Sequence, residues 1–124
     1  MVLRLREESD IPIYLQLRNQ IVAGISDGRL SPGERLPTVR SLAAEIGINA
    51  MTVNKAYQLL KQEGFILIDR RHGARVRERF AGTAELSRES EAQLRALAAE
   101  ARAKGMGRDA FLRLCAAAFG EEGK

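Results

Sequence analysis

The side chains that could do chemistry lie in two short stretches of the chain. The first starts at Asn49, where a pattern of helical period begins, and it carries Asn54 and Lys55 one turn later. The second is the turn 70–75, which contains three arginines and the chain's one histidine. Amide, hydroxyl and cationic groups of this kind hydrogen-bond base edges and pair with phosphates. The two stretches therefore indicate a surface for a polyanion rather than a catalytic centre.

The composition argues against catalysis and against a bound metal. The chain has one histidine, His72, and one cysteine, Cys115, and these two cannot supply the four ligands of a standard zinc site. A single cysteine also forms no intramolecular disulfide, which fits a reducing compartment. No phosphate-binding loop or nucleophile elbow occurs in the sequence. We therefore expect a protein that is not an enzyme and that holds no cofactor or metal.

The positive charge is uneven along the chain, whose net charge is +4. Residues 1–80 hold thirteen Lys and Arg against nine Asp and Glu, whereas residues 81–124 hold seven of each. This asymmetry favours a front half that faces a nucleic acid; the alternative is a modestly basic soluble protein. No apolar run approaches the length of a membrane span, and no secretory signal precedes the first helix, so we expect a cytoplasmic protein.

Patterning predicts three helices before the basic turn. Apolar residues recur every four positions in the first, which has Pro12 at its first helical position. Thr38 caps the second, and Gly47 ends it. Asn49 caps the third, whose inner face comprises Val53, Ala56, Tyr57 and Leu60. The three predicted helices span 12–27, 38–46 and 49–63. Two strands, over 65–68 and 74–77, then form a hairpin with a basic turn.

The tight turn at 47–49 sets the second and third helices at a steep angle. The second can then lie on a phosphate backbone while the leading end of the third enters the major groove. Free amides and a partial positive charge at that leading end also favour a phosphate. The sequence thus predicts a mainly α fold with a small β-hairpin: a winged helix-turn-helix over 1–79 and a two-helix dimerisation segment over 80–124.

The second segment carries two amphipathic helix patterns, over 86–104 and 109–119, after a linker at 80–83. Their apolar stripe predicts an interface with a second copy of the chain. The residues expected there are Leu94, Leu97, Ala101, Phe111, Leu112, Cys115 and Phe119. The alternative is that this stripe packs on the chain's own first domain. Cys115 is expected to be a buried structural thiol rather than a redox sensor.

Four pieces of the sequence, from about Ile13 to Val76, resemble the GntR family of bacterial regulators. They are PIYLQL, LSPGERLPTVRSLAAEIGI, TVNKAYQLLKQEGFI and the wing HGARV. The matching run from Leu30 to Gly64 is long and keeps its order. The short helical tail resembles that of the YtrA subgroup, whereas larger subgroups carry an effector domain or an aminotransferase-like domain.

The resemblance implies which residues contact DNA. It implies contacts from Arg40 and from the head of the third helix, and a wing tip that reaches the minor groove. With their polar and basic neighbours, the expected set is Arg35, Thr38, Arg40, Asn49, Ala50, Met51, Thr52, Asn54, Lys55, Arg71, His72 and Gly73. Many members have arginine where this chain has Ala50 and Asn54. The operator preferences of the wider family are therefore not transferred.

Each of these assignments has a plainer alternative. Arg40 and Lys55 are solvated helix charges in that alternative. Asn49 is then only a cap, and Thr52 bonds only within its own helix. His72 is then only a turn residue, and a titrating switch is disfavoured.

The resemblance further implies a transcriptional regulator of double-stranded DNA, a repressor rather than an activator. A two-fold homodimer would place two recognition helices in successive major grooves, which predicts an inverted-repeat operator. A small-molecule effector stays open, because no set of residues identifies a site for one. The alternative is a protein-interaction module, since winged helices also bind proteins. Such a module would show an exposed apolar patch on this surface.

Overall fold

The computed structural model describes residues 3–78 and 85–120. Within them lie helices α1 (Ile13–Ser26), α2 (Val39–Ile46) and α3 (Ala50–Gln62), strands β1 (Ile66–Asp69) and β2 (Gly73–Val76), and helices α4 (Arg88–Ala103) and α5 (Arg108–Phe119). The chain divides into two compact units, Met1–Gly82 and Thr83–Lys124. The expected boundary between residues 79 and 80 and the linker at 80–83 fall outside the described residues, and both stay predictions.

Helix α1 forms one wall of the first unit and buries Leu17 and Ile21. Pro12 is its N-cap rather than its first helical residue, so the predicted start was one position early. Its polar side forms hydrogen bonds with the backbone of the N-terminal segment. The Gln20 side-chain amide both donates to and accepts from the backbone of Arg4. Gln16 bonds Arg6 in the same two ways, at 2.8 Å each.

Helices α2 and α3 begin at the capping residues that the sequence predicted. The Thr38 hydroxyl accepts a hydrogen bond from the Ser41 amide at 3.0 Å. The Asn49 side-chain oxygen accepts one from the Met51 amide at 2.7 Å. Gly47 ends α2 with a φ of 73°, a left-handed conformation that a glycine adopts without a steric penalty. These local bonds fix the tight turn between the two helices.

The wing pairs β1 with β2 in antiparallel register, from Ile66 opposite Val76 to Asp69 opposite Gly73. Both strands lie within one residue of their predicted bounds. A third backbone segment, which was not predicted from the sequence, also pairs with β2. Its bonds run from the Leu36 amide to the Ala74 carbonyl and from the Val76 amide to the Glu34 carbonyl, each at 2.8 Å. This segment joins the wing to the start of α2.

One apolar core unites the three helices and the wing. The predicted inner face of α3 is fully buried in it. The buried residues are Leu17, Ile21, Leu30, Leu36, Leu42, Ala43, Val53, Ala56, Tyr57, Leu60, Ile66, Ala74 and Val76. The first unit is thus the winged helix-turn-helix that the sequence predicted.

The second unit is a helical hairpin with no core of its own. The Ser87 hydroxyl caps α4 by accepting a hydrogen bond from the Ser90 amide at 3.1 Å. Glu91 and Glu100 each pair with a cation one turn later on the helix surface. No residue in the range 85–120 is buried. Among the helices of both described ranges, none has the length and apolar character needed to cross a membrane.

Candidate nucleic-acid interface

The leading end of α3 projects polar and small side chains into solvent. Asn49, Ala50 and Met51 are exposed, Met51 by 79%. Thr52 is half-buried, and Asn54 is exposed one turn later. The opposite side of this helix is anchored in the core, so the head is held rigidly while its outer side stays free. This is the geometry that a helix needs to enter the major groove.

The first turns of α2 and α3 contain no acidic residue. Their free amides and the positive ends of the helix dipoles are therefore not neutralised locally. Met51 is the only large apolar side chain exposed on the described surface of α3, between polar neighbours. A continuous apolar patch, which a protein-interaction module would present, is therefore absent from this described surface.

Two exposed cations lie on the helix-turn-helix, one on α2 and one on α3. Arg40, on the first turn of α2, is exposed and forms no side-chain hydrogen bond or ion pair with any described residue. Lys55 is exposed on α3, with its ammonium 4.1 Å from the centroid of the Tyr14 ring on α1. This cation–π contact holds the Lys55 charge near the head without neutralising it. Both cations are available to a phosphate.

Tyr57 connects α3 to the segment that leads into α2. Its hydroxyl donates to the Pro37 carbonyl at 2.7 Å, and its ring is buried. Burial raises the pKa of Tyr57 above its ordinary value, and the nearby charge of Glu45 acts in the same direction. The hydroxyl is therefore neutral and keeps donating at any physiological pH. Tyr57 is a core residue, as the sequence analysis favoured.

A recess of about 410 Å³ lies between α3, the segment before α2 and the wing. Four of the expected DNA-binding residues border it: Arg35, Thr38, Asn54 and Gly73. Apolar side chains, among them Val39 and Ile68, also line it. The fold thus brings residues from three separate parts of the sequence to one concave surface. The Thr38 oxygen already accepts from the Ser41 amide, so its hydroxyl hydrogen is what it can offer to a ligand.

The wing tip carries the predicted Arg71, His72 and Gly73. Arg71 and His72 are exposed, and Gly73 has a φ of 69°. The Arg35 guanidinium donates through Nε to the His72 carbonyl at 3.0 Å, so Arg35 ties the wing tip to the helix-turn-helix. Asp69 accepts from the His72 amide at 2.5 Å. This amide lowers the pKa of the Asp69 carboxyl below its ordinary value.

The residues expected at a dimer interface divide into two groups in the second unit. Leu94, Leu97, Leu112 and Phe119 are exposed, Phe119 by 94%. Ala101, Phe111 and Cys115 are half-buried. Cys115 is half-buried in the single chain, so its expected burial depends on the expected interface and stays a prediction. The second unit leaves large apolar side chains in contact with water, which is unusual for a surface that functions alone.

Three residues of these surfaces were missed from the sequence. Asp69 lies in the predicted hairpin turn and Tyr14 in the predicted first helix, and neither was expected to contribute to these surfaces. Leu114, exposed by 56%, was left out of the expected interface. Leu114 lies three residues after Phe111, a spacing that places both on one side of a helix. That spacing was the available signal, whereas the contacts of Asp69 and Tyr14 depend on the folded chain.

Comparison with known proteins gives a family match over the first unit. Residues 13–76 match the family described as bacterial regulatory proteins, gntR family. The HTH-type transcriptional regulator Rv1152 of Mycobacterium tuberculosis is 42% identical over 64 residues, which are 52% of this chain and 53% of that relative. The HTH-type transcriptional repressor YtrA of Bacillus subtilis is 38% identical over 77 residues, 62% of this chain and 59% of that relative. The chain thus spans little more than half the length of these curated relatives.

A solved structure matches both units. YtrA from Sulfolobus acidocaldarius, described as a GntR-family transcription factor, is 34% identical with a TM-score of 0.59. The match covers 98% of this chain and 100% of that one. This chain therefore belongs to the GntR family of DNA-binding transcriptional regulators and resembles its YtrA-type members.

Proposed function

We propose that this chain represses transcription by binding an inverted-repeat operator as a homodimer. The observation that carries the proposal is the exposed polar head of α3 beside unpaired cations and a basic wing. Occupancy of a site near a promoter would exclude or displace polymerase. The similar YtrA protein of Bacillus subtilis is a transcriptional repressor by name, which supports this sign of regulation.

The α3 head is the proposed base-reading element. Asn49 uses its oxygen as a helix cap, which leaves its amide hydrogens for a base edge or a phosphate. Thr52 and Asn54 supply further hydrogen-bonding groups. Ala50 and Met51 supply apolar contacts, which suit the methyl group of a thymine. An operator with thymine in the half-site would fit this head.

The proposed phosphate contacts flank the head. Arg40 approaches the backbone from α2, and Lys55 from α3. Arg35 lies beside the recess, where a phosphate would meet its guanidinium together with the Thr38 hydroxyl. These contacts position the protein on the duplex without reading its sequence.

The wing is proposed to contact the neighbouring groove. Arg71 and His72 are its exposed polar side chains, and Gly73 lets the backbone turn at the tip. Arginine suits the minor groove because the negative potential there attracts a cation.

The proposed dimer forms through the apolar surface of α4 and α5. Exposed leucines and Phe119 become buried when two copies pair. The half-buried Cys115 becomes more deeply buried in the same interface. A two-fold axis then places two α3 heads about 34 Å apart, one turn of the double helix. The boundary between the DNA-binding and dimerisation segments is proposed near residues 79–80.

One experiment tests the proposal as a whole. The full chain is used to select binding sites from random duplex DNA, and the selected site is footprinted and its complex weighed by light scattering. We expect a two-fold symmetric site with half-site centres one helical turn apart and two chains per site. A site without internal symmetry that holds one chain would contradict the dimer and the inverted repeat.

The sign of regulation needs a separate measurement. The selected site is placed over a promoter, and transcripts are counted with increasing protein. We expect fewer transcripts, because the bound dimer occupies DNA that polymerase needs. A rise in transcripts would overturn repression and leave the DNA-binding proposal intact. The same assay, run with candidate metabolites, tests for an effector.

A further inference from the structure

The wing contains one acidic residue in a strongly basic setting. Residues 66–77 hold four arginines, one histidine and a single carboxylate, Asp69. A carboxylate near DNA repels the phosphates, so charge alone would disfavour an acidic residue in a DNA-contacting wing. Its contacts indicate what it contributes instead.

Asp69 is the last residue of β1 and holds the turn that follows it. One carboxylate oxygen accepts from the His72 amide at 2.5 Å, and the other lies 3.4 Å from the His72 ring Nδ1. The Arg75 guanidinium lies 3.9 Å from the same second oxygen. Asp69 thus contacts the turn residue His72 and the arginine on the opposite strand.

A second bond holds His72 from the other side. The Arg35 Nε donates to the His72 carbonyl at 3.0 Å. Arg35 lies in the segment that pairs with β2, where it stands opposite Arg75. The amide of His72 is therefore held by the wing itself and its carbonyl by the segment leading into α2. These two bonds fix the wing tip relative to the helix-turn-helix.

The Asp69 carboxylate is ionised at neutral pH. The His72 amide holds the pKa of Asp69 below its ordinary value, with further contributions from the His72 ring and the Arg71 amide. An ionised acceptor bonds an amide more strongly than a neutral one. At neutral pH the turn therefore keeps this bond.

We propose that Asp69 is a positioning residue for DNA binding. It orders the wing tip in the free protein, so that Arg71 and His72 lose little conformational freedom when they contact the duplex. The proposal rests on the wing contact proposed above. An ordered tip binds more tightly because association then restricts fewer conformations. The Arg75 guanidinium, 3.9 Å from the Asp69 carboxylate, offsets part of its charge, so its repulsion of the phosphates is the smaller effect.

Two substitutions in the full chain separate the effect of an ordered wing tip on affinity from the effect of the Asp69 charge. Asp69→Ala removes the acceptor and the charge, whereas Asp69→Asn removes the charge and keeps an acceptor oxygen. On the selected operator duplex we expect Asp69→Ala to weaken binding roughly 3- to 10-fold, the range of a single hydrogen bond. Asp69→Asn keeps a weaker, neutral acceptor, so it should bind more tightly than Asp69→Ala. Tighter binding by both variants would overturn the proposal, because charge would then dominate.

Glu78→Ala is the matched control for charge. It removes an exposed carboxylate near the end of the wing, outside the turn. We expect it to bind as the parent does or slightly more tightly. If Asp69→Ala behaves like Glu78→Ala, the acceptor oxygens have no positioning role and the proposal fails.

Hydrogen exchange of the free protein gives an independent readout. We expect the His72 amide to exchange faster in Asp69→Ala and to stay protected in Asp69→Asn. Equal protection in all three proteins would contradict the positioning role. Circular dichroism of each variant checks that the fold is retained.

Arg71→Ala distinguishes failure of this inference from failure of the proposed wing contact. If Arg71→Ala weakens binding but Asp69→Ala does not, the wing meets DNA and only the positioning role is wrong. If Arg71→Ala leaves the affinity and its salt dependence unchanged, the wing contact itself is wrong, and the role of Asp69 falls with it.

Discussion

The two units of this chain differ in how far their apolar side chains are buried. In the described part of the first unit, thirteen apolar residues are buried around α1, α2, α3 and the wing. In residues 85–120 none is buried, although Leu94, Leu97 and Phe119 are large and apolar. The first unit satisfies its hydrophobic pattern within one chain. In the described part of the second unit, a similar hydrophobic pattern leaves its apolar side chains exposed.

Because of this difference, we expect the first unit to govern folding stability and the second unit to govern assembly. The first unit should fold independently, since its core, caps and wing bonds all lie within it. The second should gain stability when apolar surface is removed from water, at about 25 cal/mol per Å². A second copy of the same surface is the proposed source of that burial. Four perturbations test the contrast, from the largest expected effect to the smallest.

Deleting the second unit has the largest expected effect. A variant ending at residue 82 should stay folded and become monomeric, because the exposed apolar surface of α4 and α5 is gone. Its affinity for the full operator should fall on the order of 10²- to 10⁴-fold, since two half-sites are no longer bound together. Sedimentation and fluorescence anisotropy measure the two quantities.

The matched control for the deletion keeps the apolar surface. Among the described residues, the exposed Arg95 on α4 pairs with Glu91 alone. Arg95→Ala should therefore stay dimeric with unchanged affinity. A truncated variant that remains dimeric would refute the assembly role of the second unit. The contrast between the two units would then have another cause.

The same leucine-to-alanine substitution should affect the free energy of unfolding differently in the two units. Leu60→Ala empties space in a fully buried site and should lower the free energy of unfolding by about 2–5 kcal/mol. Leu97 is 57% exposed, so Leu97→Ala should leave unfolding of the first unit unchanged and weaken the dimer instead. Urea unfolding followed by circular dichroism, at several protein concentrations, separates these outcomes. A loss of similar size from Leu97→Ala at all concentrations would break the contrast.

The parts of the first unit that the sequence predicted correctly are governed by local interactions. Thr38, Gly47 and Asn49 end or begin helices through bonds to residues two to four positions away. The buried face of α3 follows from the helical period alone. Capping and amphipathicity act within a few residues, so the sequence carries them without knowledge of the fold.

The parts that the sequence missed depend on long-range contacts. The Arg35 bond to His72 joins residues 37 positions apart, and the pairing of 33–36 with β2 spans a similar distance. Local patterning gives no information on such pairs. The expected DNA contacts and the dimer surface depend on molecules outside the chain, and they stay predictions. The burial of Cys115 belongs with these predictions, because its apolar helix face was expected to meet a second copy of the chain.

Arg40→Ala should weaken operator binding by about 1–3 kcal/mol without affecting stability. The side chain is exposed and has no partner among the described residues, so its removal leaves the core unchanged. A lost phosphate contact should also reduce the slope of log affinity against log salt by about one. Unchanged affinity and slope in a folded Arg40→Ala variant would remove Arg40 from the interface. Arg95→Ala again serves as the control, as an arginine on the other unit.

Tyr57→Phe should have the smallest effect and tests how the first unit holds its helices together. Loss of the hydroxyl leaves the Pro37 carbonyl without its donor, which should lower the free energy of unfolding by about 0.5–1.5 kcal/mol at neutral pH. Because burial raises the pKa of Tyr57 in the folded chain, the folded state favours the neutral phenol. The stability due to that neutral form is complete below the unfolded pKa of about 10 and is lost as the pH rises above it. The difference between the parent and Tyr57→Phe should therefore shrink in alkaline solution, while Tyr14, present in both proteins, cancels. A difference that grows with pH, or none at neutral pH, would show that the Tyr57 bond does not stabilise the link between α3 and the segment before α2.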